Sequence, residues 1–182
     1  MNLQKQLRCV YLHAFFSTLR FTDAVWVALL AARGFSLAEI GLAEGVFHLT
    51  SLLCEVPSGM AADLLGRRRT LIFGGVLGVF SALAMASAPG LGLICTAMAL
   101  KALGYNMLSG TAEALIYDSL KMAGREKDYI KVDASASICM KIATALGSLA
   151  SLLAGVLRYA GYYLADAVSA LLSALAAARL EE

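Results

Sequence analysis

Six stretches long and apolar enough to cross a lipid bilayer, joined by connections too short to fold alone, constrain this chain more than any other feature. A membrane-spanning helix needs about 20 mostly apolar residues. Such stretches can be drawn at roughly 9–31, 37–60, 70–88, 91–118, 130–157 and 161–178. Gly34-Phe35-Ser36, Pro89-Gly90 and Arg158-Tyr159-Ala160 punctuate one side, and Asp63 to Thr70 and Lys121 to Asp128 the other. The only prolines, Pro57 and Pro89, each read as lying close to a helix end. No soluble domain fits between the stretches, so residues 1–182 are expected to form a single all-α transmembrane domain of six helices. Composition agrees, with 60% apolar residues and a mean hydropathy of +0.75, against about half apolar in soluble proteins. The first stretch follows Lys5 and Arg8 as a secretory leader would. It carries Arg20 and Asp23 and has no small-residue cleavage site, so it reads as a retained helix.

The formal net charge of +2 is small, but its distribution is informative. The N-terminus, the second and fourth connections and the C-terminus hold Lys5, Arg8, Arg67, Arg68, Arg69, Lys121, Arg125, Lys127, Lys131 and Arg179, against Arg33 and Arg158 opposite. The positive-inside rule then puts both termini in the cytoplasm of a multi-pass protein of the cell membrane. Such a bias opposes insertion both ways round, so any dimer is expected to be parallel. The four cysteines, Cys9, Cys54, Cys95 and Cys139, fall one per helix without neighbouring histidines. They read as small hydrophobes, and no metal site, disulfide frame or cofactor is expected.

Ionisable groups in hydrocarbon are costly and normally face a bundle interior or a hydrated cavity. Here they form stripes at helical spacing. His13, Ser17, Arg20 and Asp23 share a face of the first helix. Gly41, Glu44, His48, Ser51, Glu55 and Ser58 do so on the second, and Asp133, Ser137, Lys141, Thr144, Ser148, Ser151 and Gly155 on the fifth. On the fourth, Asn106, Ser109, Glu113 and Tyr117 align, with Lys101 to one side. The third helix has no interior charge, and its Gly74 and Gly78 suit close packing. The sixth is Leu/Ala-rich with a single acid, Asp166, near its outer end. This pattern suggests a pathway lined by the first, second, fourth and fifth helices. A plainer reading stands beside it: Arg20 with Asp23, and Glu44 with His48, could neutralise each other locally. Lys101 and Lys141 have no acid on their own face within a turn and must find partners on other helices or water.

The segment from Glu55 to Thr70 holds Gly59, Asp63, Gly66, Arg67 and Arg68 in the register Gly, three residues, Asp, two residues, Gly, then two basic residues. This resembles the cytoplasmic loop signature of the major facilitator superfamily, at its expected place after the second helix. Arg20 to Trp26, Gly34 to Gly41 and Ser109 to Asp118 are also similar to bacterial members, and the likeness is weaker after about residue 130. Gly59 would permit close helix approach, Gly66 a tight reversal, and Asp63 a contact with an arginine or a helix N-terminus. The resemblance implies that this loop helps latch a cytoplasmic gate, with Asp118 as a partner. Two positions depart from the pattern: Leu64 follows Asp63 where many members carry Arg, and Gly147 to Gly155 contains no Pro where antiporters often do.

Members of the family usually carry two six-helix halves, each a pair of inverted three-helix repeats, with substrate between the halves near the midplane. The resemblance therefore implies a half fold that needs a second half. A parallel homodimer would supply it, and a separately encoded half would be the alternative, the chain then being a truncated remnant or a non-transporting subunit. The implied function is secondary transport of a polar or charged small molecule or drug by alternating access. Arg20, Asp23, Glu44, His48, Lys101, Glu113 and Lys141 are the candidate pathway residues. Asp23, Glu44, His48 and Glu113 are candidates for proton coupling. Gly59, Asp63, Gly66, Arg67, Arg68 and Asp118 form the candidate gate motif. Neither nucleic acid nor enzymatic chemistry is expected: the basic residues are loop anchors, and there is no paired metal-ligand spacing, nucleophile elbow or phosphate loop.

Overall fold

The computed structural model describes residues 3–149 and 158–181. Among these the chain forms eight α-helices: α1 (Leu3–Thr18), α2 (Trp26–Ala31), α3 (Leu37–Leu65), α4 (Arg67–Ser87), α5 (Leu91–Leu108), α6 (Thr111–Met122), α7 (Tyr129–Leu149) and α8 (Tyr159–Ala178). A single 3₁₀ turn at Glu126–Asp128 leads into α7. Among the described residues four helical stretches are long and apolar enough to cross a membrane by themselves: Leu37–Leu65, Arg67–Ser87, Leu91–Met122 and Tyr159–Ala178. The part of the fifth expected helix at 150–157, with Ser151 and Gly155, lies outside the described residues.

Local chemistry explains the helix ends. Ser36 and Glu39 form a capping box, each side chain bonding the other's backbone N–H, so α3 begins where the apolar run begins. Gly34 closes the preceding turn at φ +91°, a conformation that costs glycine little. The expected loop over residues 63–70 is reduced to a single residue, because α3 runs to Leu65 and α4 starts at Arg67. Gly66 alone makes the turn at φ +89°, and its carbonyl is taken by the Thr70 N–H at 3.2 Å and the Thr70 hydroxyl at 2.9 Å. Pro57 is therefore an interior residue of α3 rather than one near its end.

Two expected helices are interrupted. The first, read as continuous over 9–31, stops at Thr18 and resumes at Trp26. The hydroxyls of Ser17 and Thr18 both turn back to the Ala14 carbonyl, at 3.1 and 2.8 Å. Residues of this kind offer the backbone alternatives to the helical ladder. The fourth breaks at Ser109-Gly110, where Gly110 takes φ +73°, and continues to Met122 rather than ending at 118.

The helices pack in the spatial order α7, α1, α8, α4, α5, α3, with α4 against α8 at the centre. Small residues set that central contact. A methyl group added at Gly75 would stand 2.8 Å from the Ala174 Cβ, and one at Gly78 3.3 Å from the Ala170 Cβ. The same holds where α4 meets α5, with a Cβ at Gly104 falling 2.9 Å from the Gly74 carbonyl oxygen. Small side chains are what allow membrane helices to approach so closely. The packing has an internal correspondence. Exchanging the first three helical stretches for the last three turns the α1–α8 contact into α5–α4 and the α1–α7 contact into α5–α3. It also exchanges the two broken stretches with each other.

At the two ends of this order, α3 and α7 have most of their surface uncovered. Leu49, Leu52, Leu53 and Val56 on α3 and Ile130, Ile138 and Ile142 on α7 are exposed. A methyl at Gly59 would meet no other atom within 4 Å, so the expected close helix approach there is not made among the described residues.

Candidate functional site: a polar cavity at the break in the first helix

Between the first and fourth helical stretches lies a cavity of about 360 Å³. The interruption at 19–25 delivers two charged side chains to it, Arg20 and Asp23, while His13 and Ser17 line it from α1. From α5 and α6 come Lys101 and Glu113, one on each side of the Ser109-Gly110 break. Gly74, Gly78 and Gly104 form an area without side chains, so the α4 and α5 backbones themselves wall the cavity.

Four of the seven residues expected along the pathway thus meet here: Arg20, Asp23, Lys101 and Glu113. The Lys101 ammonium pairs with Asp23 Oδ1 at 3.2 Å, their side chains 35% and 56% exposed. Asp23 is therefore paired across helices and not with Arg20, whose Nε donates to the Ser17 carbonyl at 3.2 Å. His13 is buried, with Nδ1 3.0 Å from the Ser173 hydroxyl, which joins α1 to α8. The other three pathway candidates stand apart from this cavity. Glu44 and His48 pair within α3 at 3.3 Å, the His48 side chain 70% exposed, and Lys141 is exposed on α7. The second and fifth helices contribute Phe47 and Met140 instead of their polar stripes.

The backbone at the break loses helical hydrogen bonds, and in a membrane these must be replaced within the protein. Asp166 on α8 replaces them. Its Oδ1 accepts from the Phe21 N–H at 2.6 Å, and its Oδ2 from the Thr22 hydroxyl at 2.5 Å. The segment is closed further by the Thr22 carbonyl, which accepts from the N–H groups of Val25 and Trp26, both at 2.8 Å. On its other side, α7 approaches the break through Gly147, where any side chain would collide with the Arg20 carbonyl. Asp166 and Gly147 had no role in the sequence reading. The available signal was an acid alone in a Leu/Ala helix, the kind of intramembrane charge that by default marks a function.

At the candidate gate motif, Arg67 Nε meets Asp118 Oδ2 at 3.0 Å, linking the start of α4 to α6. Asp63 is exposed in the last turn of α3. Arg68 donates to the Ala178 carbonyl at 2.5 Å, at the end of α8. Gln6 closes the same end of the bundle. Its amide donates to the Glu181 carbonyl at 2.8 Å and to Ser119 at 3.2 Å, and accepts from the Glu181 N–H at 2.9 Å. At the opposite end, Arg33 donates to the Ala88 carbonyl at 2.6 Å and lies 4.3 Å from the Tyr159 ring centroid, a cation–π arrangement. Among the described residues no group of His, Cys, Asp and Glu side chains could hold a metal ion.

A sequence profile of the Major Facilitator Superfamily matches residues 10–181. The inner membrane transport protein YajR of Escherichia coli (strain K12) is 30% identical over 120 residues, which is 66% of this chain and 26% of that protein. The chain thus spans about a quarter of the length of the relative it matches. That relative is a transport protein by name. This multi-pass, all-helical membrane protein belongs to the major facilitator superfamily.

Proposed function

We propose that this chain is one six-helix half of a secondary transporter working by alternating access, with both termini cytoplasmic and the 360 Å³ cavity as part of its translocation pathway. The observation that carries this reading is the inter-helix pair Asp23–Lys101 at the break of the first helix, beside Arg20 and Glu113 in one cavity. Discontinuous membrane helices are where transporters bind substrates and coupling ions. The pseudo-symmetric packing supports a pair of inverted three-helix repeats over residues 1–182, with α1–α2 and α7 as the two crossings additional to the four apolar spans. Both signs of charge in the cavity favour a polar, charged or zwitterionic small molecule, and Asp23 and Glu113 are candidates for carrying a coupled proton.

The uncovered faces of α3 and α7 support a second half. Glu44, His48 and Lys141 lie there together with exposed Leu, Ile and Val side chains. Charges facing lipid are costly, and a partner half would cover them. A parallel homodimer is the favoured source of that half; a separately encoded or covalently continuous half is the alternative. The proposed gate is the Gly66 hinge with the Arg67–Asp118 pair, Arg68 and Asp63 beside it.

Native mass spectrometry of the chain in nanodiscs, with cysteines placed on α3 and α7 for crosslinking, tests the assembly. A dimer crosslinked through those faces, followed by proton-driven uptake in liposomes, is the expected result. A monomer that no crosslink traps would sink the homodimer and turn the search to a different second half.

A further inference from the structure

Asp166 is 3% exposed and sits on α8 between Tyr163, one turn earlier, and the small residues that pack on α4. It borders a second, smaller cavity of about 20 Å³, which Arg20, Lys101, Trp26 and Tyr163 also line. That is room for about one water molecule. Its wall includes Tyr163, whose buried hydroxyl has no hydrogen-bond partner among the described residues. Arg20, Gly78 and Lys101 line both cavities, so the small one lies directly behind the larger.

We propose that Asp166 is a proton-binding site, coupled through Arg20 to the charge of the main cavity. The geometry accommodates both states of the carboxyl. When it is ionised, Oδ1 accepts from Phe21 N–H and Oδ2 accepts from the Thr22 hydroxyl. A proton arriving from the cavity binds Oδ2. The Thr22 hydroxyl then rotates and accepts from it, since a hydroxyl can act either way. The Phe21 bond to Oδ1 is kept. The break in the first helix therefore survives protonation, while the hydroxyl proton of Thr22 is freed from the carboxyl.

The charge balance does change. The groups facing Asp166 are Arg20 and Asp23 from the break, Lys101 from α5, and Tyr163 on its own helix. His13 on α1 lies two turns away, against Ser173. From α4 come only Gly78, Ser81 and apolar residues. Counting Glu113, which lines the main cavity with them, the two cations stand beside three carboxylates when Asp166 is ionised and two when it is protonated. Arg20 then loses one of the anions acting on it, and the surroundings of the main cavity become one unit less negative. Proton binding at Asp166 thus favours an anionic group in the cavity, and by linkage an anion there favours the proton. This coupling rests on the transport reading; the proton site itself does not.

The chain's single tryptophan, Trp26, lines the small cavity and reports on it without any ligand. The experiment is a fluorescence titration of the purified protein in nanodiscs. It runs from roughly pH 4, near the unperturbed carboxylate value, to roughly pH 9, the upper reach of buried carboxyls. The expected result is one transition, abolished in Asp166→Asn, moved in midpoint in Asp166→Glu, and kept in Asp133→Asn. A wild-type signal flat across the range overturns the proposal. So does a transition that survives Asp166→Asn unchanged, which would assign the titration elsewhere, to Asp23 first. Where the Asn variant does not fold, an unmoved midpoint in Asp166→Glu is equally decisive. Neither result depends on transport, so the proton site and the transport reading can fail separately.

Discussion

Substituting Gly75 by Ala tests whether close packing of α4 on α8 holds the bundle together. The added Cβ would stand 2.8 Å from the Ala174 Cβ, 3.1 Å from its Cα and 3.2 Å from its N. Non-bonded carbons settle at about 3.5–4.0 Å, so the two helices must part by up to about 1 Å. The obstruction is backbone and a Cβ, neither of which can rotate aside, which places the cost at the upper end of the ~1–3 kcal/mol typical of overpacking. The better helix propensity of Ala returns ~1 kcal/mol, leaving a net loss of about 2 kcal/mol. Gly45 is the control, because a Cβ there meets nothing within 4 Å. Gly45→Ala should be neutral or gain up to ~1 kcal/mol. Gly78→Ala, 3.3 Å from the Ala170 Cβ, should fall between the two. The assay is reversible unfolding in mixed micelles, followed by Trp26 fluorescence. Combining Gly75→Ala with Ala174→Gly should recover part of the loss, since the closest obstructing atom is removed. Equal stabilities for Gly75→Ala and Gly45→Ala, or no recovery in the double variant, would refute the reasoning.

Three further outcomes follow from the same contacts. Because the Asp23–Lys101 pair is half-exposed, Asp23→Asn or Lys101→Met should change unfolding stability by less than ~1 kcal/mol. Uptake in liposomes should nevertheless fall several-fold, with partial recovery when the two charges are exchanged. Asn106 is buried and makes two bonds to Ser51, to its hydroxyl and to its carbonyl, both at 2.7 Å. Asn106→Ala should cost ~1–2 kcal/mol in the unfolding assay, and Ser51→Ala about half as much because its carbonyl still accepts. Arg67→Gln and Asp118→Asn break one pair, so the double variant should lower uptake no further than either single one; additive losses would show that the residues act separately.

Much of the fold was legible because the bilayer permits few solutions. Backbone in lipid must be helical or closed into a barrel, and apolar stretches of about 20 residues fit helices rather than strands, so they mark helices directly; the candidate gate motif stands out by spacing alone. The interruptions were not legible in the same way. His13, Ser17, Arg20 and Asp23 suggested a polar face on a continuous helix, because spacing cannot reveal that a carboxylate 143 residues later than Asp23 replaces the lost backbone bonds. Likewise the Glu44, His48 and Lys141 stripes identified polar faces of α3 and α7 but not which way those faces point. That direction depends on which neighbours each helix packs against, and α3 and α7 lie at the ends of the packing order.

The sequence by itself determined the solvent, the helix-rich architecture, the family and the tight turn at Gly66, since each depends on residues adjacent in the chain or on a fixed short spacing. Only the tertiary structure decided which charges share a cavity. Asp23 and Lys101 are 78 residues apart, and Asp166 reaches Thr22 across 144. Contacts over such separations are set by how glycine and alanine faces let α4, α5 and α8 approach. That fit is a property of opposed surfaces, which no periodicity within one helix records.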